Sequence, residues 1–471
     1  MTMRRVLEHH RASYARNPFG MRIAVVMGLD FICLLLAASF ARYWTDAQVS
    51  NATFAIATAV LAVGTFLVLH ATGAYDLVTI RSAPKTHVSL LLGMGVGFAA
   101  TLVAYFLVPI QESKAALLHA AVVFLPLFLL ERKIFRSVSK RMRNRILLVG
   151  VSDLAVSLVR SIEMRRDLGL EVIGALSGND QQEPTSLSSM RIVDGIPIIG
   201  SVHAVEKVMS QGLADWVVVA SKKRDEDLPD DQLLSLKLHG VPIFSAVSLY
   251  ERITGEVFHR SMRSSVLIFD ERLGMTLFER FVKRAFDVLV SATALVLTAP
   301  ILLAAAVAIR LDSKGPVFFR QTRAGRFLKP FQIFKLRTMV EGAERETGAV
   351  FASREDMRIT RVGHLLRRTR IDELPQFLNV LLGEMSVVGP RPERPEFLDE
   401  ISERFPYFRV RSAFKPGVTG WAQVRNGYVS DINGFDQKLA HDLYYMRNWS
   451  LSMDVSIMWT TVRTVFSLRG V

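Results

Sequence analysis

Residues 367–396 read RRTRIDELPQFLNVLLGEMSVVGPRPERPE. Asp372 and Glu373 stand side by side, just ahead of Leu374, Phe377, Leu378 and Leu381. Those apolar positions recur at i, i+3, i+4 and i+7, the spacing of one helix face. Pro375 suits the first turn of such a helix and not its interior. The spacing therefore predicts a helix that starts at the acidic pair, where free N–H groups and the helix dipole favour an anion. Arg358, Arg361, Arg367, Arg368 and Arg370 crowd in from the N-terminal side, and Arg391 and Arg394 from the other. Arginines hold phosphate oxygens, and carboxylates bind a metal or attack phosphorus, so the constellation points to phosphate chemistry. An acidic pair at a helix start also serves as a plain cap, and arginines nearby as solvated ion pairs.

The flanks favour the chemical reading. Gly389–Pro392 (GPRP) makes a rigid turn beside the apolar run Met385–Val388. Upstream, PFQIFKLRTM (330–339) alternates like a strand and places Lys335 and Arg337 on one face.

The chain has 471 residues, room for two or three domains, and 50% of them are hydrophobic although 22% are charged. The apolar excess is concentrated, which points to membrane segments beside globular parts. A net charge of +14 suits anionic lipid headgroups and anionic substrates as well as nucleic acid. Cys33 is the single cysteine, which excludes a disulfide framework, a cysteine-based zinc site and a redox pair.

Residues 1–22 are a basic tail with no signal-peptide cleavage pattern after the apolar run that follows. Four apolar runs come next, at 23–44, 53–72, 87–109 and 115–131. Each approaches the roughly 20 residues that a bilayer-crossing helix needs. Basic residues flank this set so that both of its ends are expected in the cytoplasm. Asp30 falls inside the first run and is expected to face the bundle or snorkel, with a packing role favoured over a functional one.

Residues 146–250 alternate strands (ILLVG at 146–150, VIGALSG at 172–178, WVVVA at 216–220, VPIFS at 241–245) with helical patterns, which predicts a Rossmann-like α/β layer. The turn from Gly150 to Ala155 stands where a dinucleotide fingerprint would, but it lacks the second and third glycines. A structural or regulatory domain is therefore favoured over a nucleotide-binding one. Residues 251–275 read as a connector. A second membrane element, 285–309, follows with Asp287 near its start and Pro300 in its middle. Both flanks are basic, so both ends are expected on one face, and Pro300 is expected to bend the helix into a re-entrant shape. An ordinary fifth span is the alternative. Beyond the motif region, Arg409, Arg411, Lys415 and Arg425 interleave with Phe408, Phe414, Trp421 and Tyr428, which suits a membrane interface or base stacking. Two amphipathic helices are expected at 436–448 and 452–467.

The segment 276–471 resembles the bacterial sugar transferase family, the monotopic phosphoglycosyl transferases. The resemblance rests on KRAFD (283–287), FRQTRAG (319–325), FKLRTM (334–339), RIDELPQFLNVLLGEMSVVGPRP (370–392) and KPGVTGWAQV (415–424). The whole chain resembles the large members that initiate exopolysaccharide synthesis, of the undecaprenyl-phosphate glucose phosphotransferase type. The resemblance implies a multidomain membrane protein: a four-helix transmembrane bundle, a Rossmann-like α/β domain, and an α/β catalytic domain with a re-entrant helix on the cytoplasmic face of the inner membrane. It implies transfer of a hexose-1-phosphate, glucose favoured and galactose next, from a UDP-sugar to undecaprenyl phosphate with release of UMP. Asp372 is then the nucleophile and forms a phosphosugar-aspartyl intermediate, and Glu373 helps to bind magnesium. Arg367 and Arg391 hold phosphates. Lys335 and Arg337 are divided between substrate and scaffold. Lys283, Arg284 and Asp287 either organise the lipid phosphate or anchor the helix that Pro300 bends. The partners implied are the UDP-sugar, undecaprenyl phosphate and the bilayer, without nucleic acid, and a homodimer is compatible. Two other classes compete: a non-enzymatic scaffold or chain-length regulator, which leaves the acidic pair unexplained, and a nucleotide-sugar oxidoreductase, which the missing glycines oppose.

Overall fold

The computed structural model describes residues 18–44, 126–134, 143–178, 191–220, 228–259, 273–343, 356–426 and 434–466, with isolated positions 59, 62, 63, 69 and 137. The chain divides into two compact units, Met1–Thr254 and Gly255–Val471.

In the first unit, helix α1 spans Pro18–Trp44. Its Phe31, Ile32 and Leu36 are exposed, whereas Asp30 is buried. Asp30 accepts a 2.8 Å hydrogen bond from Arg132 Nη2, and both side chains are 1% exposed. The carboxylate thus faces inward on an arginine, which removes the penalty of an unpaired buried charge. The expected spans 53–72 and 87–109 lie outside the described residues apart from those isolated positions. Of 115–131, residues 126–131 are helical.

The α/β layer is a six-stranded sheet among the described residues, in the order β3-β4-β2-β1-β5-β6. The strands are β1 (Asn144–Val149), β2 (Leu170–Ser177), β3 (Arg191–Val193), β4 (Ile196–Ser201), β5 (Trp216–Val219) and β6 (Ile243–Ser245). All pairings are parallel except β3 with β4. Ile146 and Leu148 of β1 enter one core, and Leu147 and Val149 enter another. Burial on both faces is why this strand reads as an unbroken apolar run. Helix α2 (Asp153–Met164) starts at Ser152, whose hydroxyl accepts from Ala155 N at 3.2 Å. Helices α3 (Val205–Ser210), α4 (Asp230–Leu238) and α5 (Ala246–Thr254) complete the layer. The reading by apolar runs missed the β3–β4 hairpin. Its turn is Asp194-Gly195, both at positive φ (49° and 83°), a pair that signals such a turn in sequence.

The second unit opens with α6, Leu277–Asp312, a 36-residue helix. It begins eight positions before the expected Ala285, where Thr276 and Glu279 form a reciprocal cap. Pro300, where a bend is expected, lies inside this one continuous helix. Thr298 Oγ1 bonds Ala294 O at 2.7 Å, just upstream of the proline that cannot donate. Among the described residues, this is the helix long and apolar enough to cross a bilayer. Strands β7 (Phe318–Ala324) and β8 (Pro330–Leu336) pair antiparallel. Helices α7 (Arg361–Thr369) and α8 (Gln376–Leu382) follow, then β9 (Ser386–Val388) and α9 (Pro395–Arg404). Strand β10 (Gly417–Thr419) pairs parallel with β9 and leads into α10 (Trp421–Asn426), α11 (Gly434–Arg447) and α12 (Leu451–Phe466). The core gathers Ile333, Val380, Met385, Val387, Val388, Phe414, Tyr445 and Ile457.

Candidate active site

Helix α7 ends at Arg370, which takes the left-handed conformation at φ 57°. That residue turns the chain into a single 3-10 turn, Ile371–Glu373, before Pro375 opens α8. The acidic pair therefore sits at the corner between two helices. Both carboxylates are buried, Asp372 at 8% and Glu373 at 7% exposure.

The two acids have different surroundings. Glu373 Oε1 accepts from Arg391 Nη2 at 2.9 Å and from Lys335 Nζ at 3.2 Å. Arg370 Nη1 lies 3.7 Å from Oε2. Burial alone would raise the Glu373 carboxyl, but Arg391, Lys335 and Arg370 together hold it below the usual range. Asp372 has no ion pair among the described residues. Burial, and then the charge of Glu373, push its carboxyl up to about 6 against the pull of Lys335, Arg367 and Arg391. Neighbouring carboxylates whose acidities are driven apart take different roles. Glu373 is the counter-ion of three cations, and Asp372 is the carboxylate without an ion pair among the described residues. Lys335 is lowered by its own burial, with Glu373 opposing.

Arg391 owes its position to an unusually well-tied turn. The carbonyls of four successive residues all accept hydrogen bonds, two of them from β7. Gly417 N reaches Pro390 O at 2.9 Å, and Arg411 Nη2 reaches Arg391 O at 2.9 Å. Arg323 Nη1 reaches Pro392 O at 3.3 Å, and Ala324 N reaches Glu393 O at 2.9 Å. The backbones approach so closely that a Cβ on Gly389 or Gly417 would run into main-chain atoms of the other segment. Behind the turn lies a buried set of four charges. Glu393 pairs with Lys438 and with Arg411, and Arg411 Nε donates to Asp442 at 2.8 Å. Lys438 and Arg411 together hold the buried Glu393 carboxyl down to about 2, against the rise that burial alone would give.

The other residues singled out from the sequence divide by place. Arg367 bonds Thr338 Oγ1 through Nε at 2.9 Å and bears electrostatically on Asp372. Arg358 turns away to Asp356 at 2.6 Å, and Arg394 stacks on Phe397. Among the described residues, no hydrogen bond or ion pair joins Arg361 or Arg368 to the acidic pair. Strand β8 ends at Leu336, so Lys335 reaches the pair while Arg337 does not. Arg337 donates instead to Ser313 O at 2.8 Å and to Ser313 Oγ at 3.0 Å, closing the end of α6.

Lys283, Arg284 and Asp287 tie α6 to the rest of the unit. Lys283 Nζ meets Asp454 at 2.7 Å. Arg284 donates to Val380 O and Leu381 O at 2.6 and 2.8 Å. Asp287 Oδ1 accepts from Ser386 Oγ and Val387 N at 3.0 and 3.1 Å. Pro300 lies exposed in α6. Asp454 also receives Tyr445 OH at 2.8 Å and is raised by its burial, with Lys283 opposing. Nothing in the apolar pattern marked Asp454, Asp442 or Glu393 as network members.

Of the apolar positions read at helical spacing, Leu374, Phe377 and Leu381 are half-buried, and polar residues share the buried side of α8. Gln376, Asn379 and Val380 are buried, while Leu378 and Leu382 are 42% and 67% exposed. Asn379 replaces a strand partner for β8. Its Nδ2 donates to Gln332 O at 2.7 Å, and its Oδ1 accepts from Phe334 N at 3.0 Å. A buried amide that satisfies a strand edge breaks the periodicity on which the sequence reading relied.

No cluster of three or more metal-ligating side chains occurs among the described residues. The pair Asp372–Glu373 matches a cation shared with substrate, since magnesium commonly takes one or two carboxylates and completes its shell from phosphates and water.

Residues 70–228 match the family described as CoA-binding domain, and residues 278–468 the family described as Bacterial sugar transferase. The UDP-N-acetylgalactosamine-undecaprenyl-phosphate N-acetylgalactosaminephosphotransferase of Aeromonas hydrophila is 39% identical over 266 residues, covering 55% of this chain and 61% of that protein. The UDP-glucose:undecaprenyl-phosphate glucose-1-phosphate transferase of Caulobacter vibrioides is 46% identical over 187 residues, 39% of this chain and 70% of that protein. The Klebsiella pneumoniae protein of the same name is 32% identical over 336 residues, 68% of this chain and 67% of that protein. Every residue that builds the acidic corner and its arginine turn falls within the matched segment, and the chain belongs to the bacterial sugar transferase family.

Proposed function

We propose that the chain transfers a sugar-1-phosphate from a UDP-sugar to undecaprenyl phosphate at a membrane surface, with Asp372 as nucleophile. The observation that carries this reading is the asymmetry of the acidic pair: Glu373 is bound by cations, and Asp372 is buried, unpaired and raised to about 6. A carboxylate of that acidity is mostly ionised at neutral pH yet poorly solvated, as suits an attacking oxygen. In the first step an Asp372 oxygen bonds the phosphorus that bears the sugar. The bridging bond to UMP breaks, and UMP leaves as the phosphate monoester. In the second step an oxygen of the lipid phosphate attacks the same phosphorus and frees Asp372. Glu373 keeps Arg391, Lys335 and Arg370 facing the phosphates, and Arg367 adds its charge from α7. Asp372 and Glu373 are also the groups that would hold magnesium, which would offset charge on the diphosphate. Glucose is the favoured sugar, because the Caulobacter and Klebsiella relatives are named for UDP-glucose.

The membrane reading is supported by α6. At about 1.5 Å per residue it extends about 54 Å, far beyond a ~30 Å hydrocarbon core. Its Leu289, Val296, Leu297 and Leu303 are each 67% or more exposed. Yet Lys283, Asp287 and Ser291 near its start and Ala305 and Ile309 near its end are all buried. The latter pack with Leu336 and Leu366 of the same unit. A helix fastened near both ends to one globular unit supports entry and exit on a single face of the bilayer. We place that face in the cytoplasm, where nucleotide sugars are found.

The test is the full chain in liposomes containing undecaprenyl phosphate, given a panel of UDP-sugars. Release of UMP with a lipid-linked sugar supports the reading, and UMP release without a lipid product removes it.

A further inference from the structure

Away from the acidic pair, the C-terminal end of α8 meets the first turns of α6, and Arg326 from the tip of the β7–β8 hairpin bears on the same cluster through Lys415. Four cations converge there. Arg284 caps the last carbonyls of α8, and its Nη2 borders Gly383, which ends the helix at φ 88°. A Cβ placed on Gly383 would find two groups within 4 Å, Arg284 Nη2 and Lys415 Nζ, each at 3.8 Å. The open face of this glycine is therefore bounded by two cationic nitrogens. Arg326 stands beside them, tied through Nε to Ala413 O at 2.9 Å, and Arg280 bears on Arg326.

Lys415 is the unbalanced member. It pairs with no carboxylate among the described residues. Asp287, the acid that faces it, is already engaged by Ser386, Val387 and Lys283. Burial, and then the charge of Arg284, push the Lys415 ammonium below its usual value. An anion seated at Gly383 relieves that strain on the charge. The rim of the cluster is apolar: Phe281, Phe327 and Leu382 are 71%, 61% and 67% exposed. Exposed aromatic and aliphatic side chains around a basic centre match the headgroup level of a bilayer, where phosphates are met.

We propose that Lys415, with Arg284, Arg326 and Arg280 around it, binds the phosphate of a membrane lipid at a site separate from the acidic pair. The two sites lie at opposite ends of α8, about 10 Å of helix. The proposal rests on the membrane setting proposed above, but its test reads binding alone and needs no turnover. A lipid seated here brings its phosphate to the protein without competing for Arg391 or Lys335. Two lipids carry the required group, a bulk anionic phospholipid and the polyprenyl phosphate acceptor.

The full chain is embedded in phosphatidylcholine nanodiscs doped with either phosphatidylglycerol or undecaprenyl phosphate, then released for native mass spectrometry. Lys415→Gln and Arg326→Gln are expected to lower retention of a phosphate lipid about tenfold, the scale of one lost charge-assisted bond. Lys415→Arg is expected to keep it. Thermal unfolding in the same nanodiscs confirms that each variant is folded; should Lys415→Gln not fold, Arg326→Gln and Lys415→Arg carry the comparison. A loss confined to undecaprenyl phosphate identifies the acceptor as occupant, and a loss of phosphatidylglycerol identifies the bulk lipid; both support the site. Unchanged retention of both lipids overturns it.

Discussion

Arg391 holds Glu373 through a 2.9 Å hydrogen bond, and by doing so leaves Asp372 as the carboxylate without an ion pair at this corner of the fold. With Lys335 and Arg370 beside that arginine, and with both acids buried, the two neighbouring carboxyls are driven apart in acidity. Because the separation is electrostatic, it is visible in stability and in pH dependence.

Asp372→Asn is expected to abolish transfer and to stabilise the protein. The folded acid is raised to about 6 from an ordinary value of 3.8, so the fold prefers it protonated. Its contribution to stability is therefore largest below pH 4 and is lost as pH climbs through 6. At pH 8 the amide is expected to gain about 1–3 kcal/mol, and at pH 4 nothing. Thermal unfolding of both proteins across that range checks it, and equal stabilities at pH 8 would count against the buried, unpaired acid.

Glu373→Gln is expected to act in the opposite sense. Its folded acidity lies below the ordinary value, so its contribution is present at neutral pH and lost as pH falls through the carboxylate range. Removing the charge strands Lys335, Arg391 and Arg370 around a neutral amide. A loss of about 3 kcal/mol at pH 7 is expected, as for a buried pair deprived of one partner.

The rate of transfer is expected to fall as pH drops through about 6, because protonated Asp372 cannot attack phosphorus. Arg391→Lys keeps a cation but loses the planar fork. It is expected to lower the rate at every pH. Rates in saturating UDP-sugar from pH 5 to 8 supply the measurement.

Asp442→Asn tests the network behind the turn. Asp442 holds Arg411, and Arg411 holds the Arg391 carbonyl. The substitution is expected to cost about 2–4 kcal/mol and to reduce kcat more than it raises KM for the UDP-sugar. A stability loss with unchanged kcat would show that the network supports the fold without positioning Arg391.

Asn379→Leu keeps the volume of the side chain but leaves Phe334 N–H without its acceptor. A loss of about 1–3 kcal/mol is expected. It is to be read from thermal unfolding, with faster hydrogen exchange confined to the edge of β8.

Much of this was legible in the chain itself. The Asp372-Glu373 pair, Lys335, Arg367 and Arg391 stand out because charged residues so dense beside apolar runs are unusual, and the fold does bring them to one corner. The α/β strands were visible because β1 is buried on both faces. What escaped the reading was set by distance along the chain. Asp454 meets Lys283 across 171 residues, and Arg411 meets Asp442 across 31, with no local spacing to announce either. Arg337 looked equivalent to Lys335 by alternation, but the strand ends between them. Helix α8 misled because its exposed side carries Leu378 and Leu382, whereas its buried side carries Gln376 and Asn379. Exposed apolar side chains of this kind invert the rule that apolar residues mark the core.

The most direct test is to trap the enzyme in the act. Full-length protein is mixed with a UDP-sugar in the absence of lipid acceptor, quenched in acid, digested and analysed by mass spectrometry. A sugar-phosphate adduct is expected on the peptide containing Asp372, absent from Asp372→Asn and discharged when undecaprenyl phosphate is added before the quench. Turnover with no adduct on that peptide, or an adduct on a different residue, would contradict the assignment of Asp372 as nucleophile.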